Sequence, residues 1–179
     1  MNEQIIEIHS AAEIHDRVLS LADHIATSSR EREITILGVL DDSFVFLADL
    51  LRALRVPNLH TAFLRYEHRA LAGVQDLSFT TQADMAGRDI LLVEGVLDTG
   101  VTQEYIIKQL ESRGARSVRL CVLIDKPDGR RTSVKPDWRA FETHEDYVFG
   151  YGLGFQERWR ELPYLATFAR RETSETESE

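Results

Sequence analysis

The sequence predicts an α/β protein: a central, mostly parallel sheet flanked by helices. Two observations carry this expectation. Short runs rich in branched apolar residues recur at Thr35 to Leu40, Ile90 to Val93 and Ser117 to Ile124, as strands buried on both faces do. Helix-spaced segments follow the first two, at Ser43 to Leu54 and Gln103 to Arg113. Strand–helix alternation implies right-handed crossovers and sites at the carboxyl ends of the strands.

Taken in order, residues 10–29 place Ala12, Ile14, Val18, Leu21, Ala22 and Ile25 at helical spacing. Ser10 is the expected N-cap, and Glu13 three residues on completes a capping box. His15 and His24 in that helix read as solvated residues, not ligands. The helix over Ser43 to Leu54 presents Phe44, Phe46, Leu47, Leu50 and Leu51. Pro57 and Asn58 end that pattern, and Leu59 to Tyr66 reads as another strand. Glu67 to Gln75, with Ala72 and Gly73, reads as an irregular loop long enough to move, and Leu77 to Thr81 as an arm of a hairpin. Asp84 to Asp89 then turns at Gly87 into the central strand. Lys126 to Arg131 is a basic turn containing a proline and a glycine, and Pro136 to Trp138 and Tyr147 to Leu153 supply the last short strands. Aromatic residues concentrate in this final stretch, either to close the core or to stack on a flat heterocycle. RRETSETESE from Arg170 is apolar-free and reads as a disordered tail over 170–179, leaving 1–169 as a single domain.

With 179 residues the chain is long enough for one sizeable core. A net charge of −9 argues against nucleic acid or an anionic membrane as the main partner, since both require a basic face, but leaves room for an anion in a local pocket. Cys121 is the only cysteine, so no internal disulfide forms, and its apolar surroundings mark it as a small core residue. Neither a leader peptide nor an apolar run of ~18 residues appears, and the reading is cytoplasmic.

The segment Ile90 to Thr102, ILLVEGVLDTGVT, runs from buried strand through acidic turn to helix N-terminus. That order leaves backbone N–H groups converging on one spot where the helix dipole favours an anion, with the Thr99 and Thr102 hydroxyls as further donors. Glu94 and Asp98 would repel a bare phosphate. A sugar phosphate with bound metal resolves the conflict, the carboxylates holding ribose hydroxyls and Mg²⁺ while the amides hold the phosphate. On these residues alone the turn reads equally as an ordinary strand–helix junction with Asp98 or Thr99 as N-cap.

This segment resembles the phosphoribosyl-pyrophosphate (PRPP) motif of the type I phosphoribosyltransferases, and most of all that of the hypoxanthine-guanine phosphoribosyltransferase family. Three further stretches resemble that family in the same order: ILGVLDDSFVFLADLLRAL (36–54), similar to its pyrophosphate loop; VLIDKP (122–127), to its purine-binding strand; and YVFGYGLGFQERWRELP (147–163), to its C-terminal hood. The resemblance implies the type I fold with a small hood mainly over 135–165. It implies purine salvage, with transfer of the 5-phosphoribosyl group of PRPP to hypoxanthine or guanine, Mg²⁺ as cofactor and a homodimer or homotetramer. It also implies roles: Asp98 as acid/base; Glu94 on the ribose or the metal; Asp98, Thr99, Gly100, Val101 and Thr102 around the 5′-phosphate. Lys126, Tyr147 and Val148 fall to the purine, Arg160 with Asp41 and Asp42 to pyrophosphate, and Tyr66 to a lid. Without the resemblance, Lys126 reads as a surface lysine and Arg160 as a helix-surface arginine beside Glu157 or Glu161.

The sequence departs from the family where pyrophosphate and metal would sit. Asp41 and Asp42 replace a Lys-Gly pair, Gly95 replaces an aspartate beside Glu94, and Gly154 replaces a hood aspartate. Each lost charged contact costs about 1.5–3 kcal/mol unless Asp41 and Asp42 themselves bind a relocated Mg²⁺. Two readings follow: an active transferase with an altered pyrophosphate site, or a weak or inactive relative that binds a purine nucleotide as sensor or partner subunit.

Overall fold

The computed structural model describes residues 4–29, 33–40, 42–71, 74–80 and 84–169; residue 41 and the expected tail over 170–179 lie outside the described residues. The chain runs β1 (Ile5–His9), α1 (Ala11–Ser29), β2 (Ile34–Val39), α2 (Phe44–Ala53), β3 (Leu59–Leu71), β4 (Val74–Thr80), β5 (Asp89–Leu97), α3 (Val101–Ser112), β6 (Ser117–Asp125), a single 3₁₀ turn (Pro127–Gly129), β7 (Trp138–Glu142) and β8 (Leu165–Phe168). Six strands form one sheet in the order β4-β3-β2-β5-β6-β7, all neighbours parallel except the antiparallel pair β3–β4.

Side-chain alternation makes this a three-layer structure. Leu91 and Val93 of β5 and Cys121 and Leu123 of β6 pack with α1 and α2; Ile90, Leu92, Leu120 and Val122 face α3. Both faces being covered, the strands read as unbroken apolar runs. Cys121 lies fully inside, and burial drives its thiol pKa upward, so it stays protonated core. On α1 the expected stripe is buried at Ile14, Val18, Leu21, Ala22 and Ile25, and the capping box forms: Glu13 N–H donates to Ser10 Oγ at 3.3 Å and Ser10 N–H to Glu13 Oε2 at 2.7 Å. His15 and His24 are exposed, as solvated residues should be. α2 buries Phe46, Leu47 and Leu50 while Phe44 stays about half exposed, and truncating Phe46 would cost about 3–5 kcal/mol.

From β2 the chain crosses through α2 to β3 on one side, and from β5 through α3 to β6 on the other. The direction of winding therefore reverses between β2 and β5. At such a point the loops leaving adjacent strands part and open a crevice at the carboxyl edge. Two loops bound it here: the one after β2, described at residues 40, 42 and 43, and residues 98–100 after β5.

Several expectations are corrected. Glu67 to Gln75 is not one irregular loop: β3 continues to Leu71 and pairs with β4 from Arg65↔Thr80 to Leu71↔Val74, so the facing backbone groups of the two strands bond to each other; Ala72 and Gly73 lie outside the described residues. The strand expected at Pro136 to Trp138 is β7, beginning at Trp138, because the proline has no N–H to give a ladder. Tyr147 to Leu153 makes only isolated bridges, since positive φ at Gly150, Tyr151 and Gly152 coils it into turns. The missed pair β1–β8 forms a separate two-stranded antiparallel sheet. The aromatic residues here pack on one another at tilted and edge-to-face angles, with Phe149–Phe168 centroids 4.7 Å apart and Tyr147–Phe155 5.0 Å.

Candidate active site

The loop after β5 turns on Gly100, whose φ of +81° suits glycine and whose missing Cβ matters as much: one built there would lie 2.3 Å from Thr132 Oγ1. α3 starts at once at Val101, so its first-turn amides have no intrahelical acceptor. Val101 N–H reaches Thr99 Oγ1 at 3.4 Å, and no described residue accepts from the amides of Asp98, Thr99, Gly100 or Thr102. The five residues thus form an open cup at the sheet's carboxyl edge, where partial positive charge favours an anion.

Arg130 fixes the cup from behind, and sequence reasoning missed it. Its Nε donates to Asp98 O at 2.7 Å, one terminal nitrogen to Val134 O at 2.5 Å and the other to the buried Asp125 carboxylate. Arg131 N–H adds a bond to Thr99 O at 2.8 Å. The basic turn signalled that something cationic lies here; its lock onto the loop after β5 depends on β5 and β6 being neighbours, which sequence alone does not state.

Beside the cup opens a cavity of about 380 Å³ lined by Asp98, Lys126, Gly129, His144 and Tyr147 among others. Lys126 Nζ donates to Asp146 O at 2.7 Å, which anchors the ammonium at the wall. Tyr147 is 52% exposed and stands at the rim; Val148 packs into the core below. The Asp98 carboxylate lies against Gly129, where a Cβ would come 1.9 Å from Oδ1, so only glycine at 129 admits this placement. His144 pairs with Asp128 at 2.7 Å, and that bond holds the imidazole pKa above its ordinary value.

A second cavity, about 290 Å³, sits at the crevice between β2 and β5, lined by Leu40, Asp42, Glu94, Gly95 and Arg160 among others. Glu94 is 4% exposed; it accepts a bond from Gln103 Nε2 and leaves Oε1 without a partner among the described residues. Burial, opposed by the Gln103 bond and aided by the Asp42 charge, pushes its carboxyl up to about 7. Arg160 is not on a helix surface: it donates to Gly152 O at 2.7 Å and to Asp42 Oδ1. Of the sequence's candidates, Asp41 lies outside the described residues, as does the side chain of Tyr66. A larger cavity, about 650 Å³ between α1, α2 and residues 160–163, is mostly apolar.

A doubly wound sheet with an anion cup, a flanking acid and an adjoining polar cavity at its carboxyl edge defines a phosphoribosyltransferase-type protein, and residues 6–158 match the phosphoribosyl transferase domain. Within that class, the chain is 34% identical over 160 residues to the hypoxanthine-guanine phosphoribosyltransferase of Lactococcus lactis, covering 87% of this chain and 86% of that one. It is 32% identical over 173 residues to the Mycobacterium tuberculosis protein of the same name, covering 88% and 83%. The crystal structure of a hypoxanthine-guanine phosphoribosyltransferase from Bacillus anthracis shares the fold, with TM-score 0.85, 24% identity and coverage of 94% and 100%. The chain belongs to the hypoxanthine-guanine phosphoribosyltransferase family.

Proposed function

We propose that this protein is a purine-salvage enzyme that transfers the 5-phosphoribosyl group of PRPP to hypoxanthine or guanine, releasing pyrophosphate and giving the nucleoside monophosphate. The observation that carries the reading is the open amide cup with the Asp98 carboxylate at its lip, facing the cavity that holds Lys126 and Tyr147. The 5′-phosphate sits on the amides and hydroxyls of residues 98–102. The purine stacks on Tyr147, meets the backbone at Val148 and gives its 6-oxo group to Lys126. An amino group at that purine position cannot accept from an ammonium, which favours oxopurines. As the purine nitrogen bonds to the anomeric carbon and the bond to pyrophosphate breaks, Asp98 takes the nitrogen's proton. Positive charge on the ribose is met by the nearby carboxylates, so the site acts by placement and electrostatics, not covalently.

The residues fit one Mg²⁺ carried with PRPP: Glu94 lines the crevice, its buried Oε1 lacks a partner among the described residues, and magnesium is commonly held by one carboxylate plus substrate phosphates. Bound there, the ion would neutralise charge on the diphosphate. A second, wholly protein-held ion fits poorly, since position 154 has no carboxylate and Asp42 is engaged by Arg160. No helix among the described residues is long and apolar enough to cross a membrane, and we place the protein in the cytoplasm as a homodimer or homotetramer. Residues 1–169 form the working domain.

The test is a steady-state assay with Mg²⁺, PRPP and hypoxanthine or guanine beside calorimetry with inosine monophosphate. Asp98→Asn should lower turnover by about 10²-fold or more while nucleotide binding persists. Nucleotide binding by the native chain with no pyrophosphate release would overturn transfer.

A further inference from the structure

We infer that Asp42 is an internal competitor for Arg160, and that it sets the selectivity of the site against ligands bearing a diphosphate. This rests on the proposed assignment of the crevice to pyrophosphate. Arg160 is the single cationic side chain among the described residues lining that cavity, and the Asp42 carboxylate is already on its guanidinium. An incoming diphosphate must displace that carboxylate or accept its repulsion. In the monophosphate cup, by contrast, no described carboxylate bonds to the amides of residues 98–102, and the Asp98 side chain lies against Gly129 instead.

The surroundings are built to seat the pair. A Cβ on Gly154 would lie 2.6 Å from Arg160 Cζ and 2.7 Å from its Nε, so the guanidinium occupies the space a side chain at 154 would need. A Cβ on Gly95 would lie 2.7 Å from Asp42 O and 2.8 Å from Leu153 Cδ2, so the loop carrying Asp42 rests directly on the strand beside Glu94. Gly152 O takes a further guanidinium bond at 2.7 Å. Gly154 and the Gly152 carbonyl thus seat Arg160, while Gly95 lets the Asp42 loop come down beside it. A charge-assisted contact of this kind, about half exposed on the aspartate side, tunes affinity without locking the site.

The experiment is calorimetric titration of inorganic pyrophosphate into the native chain, Asp42→Asn and Asp42→Ser, in chelator and again with Mg²⁺, with inosine monophosphate titrated into the native chain as a control on the functional reading. In chelator, both variants should bind pyrophosphate about tenfold more tightly or better. In an Arg160→Gln background the Asp42→Asn gain should vanish. Unchanged or weaker pyrophosphate binding by both variants overturns the inference, as does a loss seen only with Mg²⁺, which would make Asp42 a metal ligand. Failure of the native chain to bind inosine monophosphate, with the pyrophosphate gain intact, would instead sink the functional reading and leave the competition standing.

Discussion

Replacing Glu94 with glutamine should stabilise the ligand-free protein relative to the native chain, and do so increasingly as pH rises. The unfolded chain releases the Glu94 proton near 4.5, whereas burial keeps it on the folded chain up to about 7. Between those values the folded state binds more protons, so the native chain loses stability as pH climbs. Its contribution is fully present below about 4.5 and gone above about 7. The gap from 4.5 to about 7, at ~1.36 kcal/mol per pH unit, amounts to about 3 kcal/mol. Glutamine keeps the shape and can still accept from Gln103, but it cannot ionise, so it escapes this loss. The stability difference between variant and native should therefore widen by up to about 3 kcal/mol between pH 5 and pH 8, or about 6–12 °C in Tm. Denaturation followed by the fluorescence of Trp138 and Trp159, in chelator and without phosphate, reads it directly. A difference that stays constant across this range would refute the reasoning, because a purely steric effect of the amide has no reason to follow pH.

Three further outcomes are expected. Gly129→Ala should cut turnover by about 10²-fold with nucleotide binding retained, because the new Cβ takes the place of the Asp98 carboxylate; steady-state kinetics beside calorimetry separates the two effects. Arg130→Met should destabilise the fold by about 3 kcal/mol in urea denaturation, since it leaves Asp125, only 5% exposed, with just Arg139 at 3.5 Å. Asp128→Asn should lower the His144 pKa toward the ordinary imidazole value, followed by NMR titration of the ring; an unmoved titration would show that the ion pair does not form in solution.

The chain's own pattern determined the sheet, its parallel sense and the cup. Short apolar runs rich in branched residues and bounded by turn residues read as strands covered on both faces, and a buried strand running into DTG and an amphipathic helix places first-turn amides at the sheet edge; that no side chain caps them was decided by the fold. Ser10 and Glu13 announced the start of α1 because a capping box is closed within four residues. Lys126 and Tyr147 were named from a resemblance in short motifs, and the fold brings them to one cavity with Asp98. The β1–β8 sheet, the extension of β3 and the coiling of residues 147–153 were not legible, since each depends on pairing or backbone twist between segments with weak local preference. Tertiary structure alone decided the pyrophosphate corner. Asp42 and Arg160 lie 118 positions apart, and glycines 95 and 154 read as losses in the sequence. Only when loop and hood meet across the crevice do they become the space that seats an ion pair, because charge complementarity and close packing act through distance in space and not along the chain.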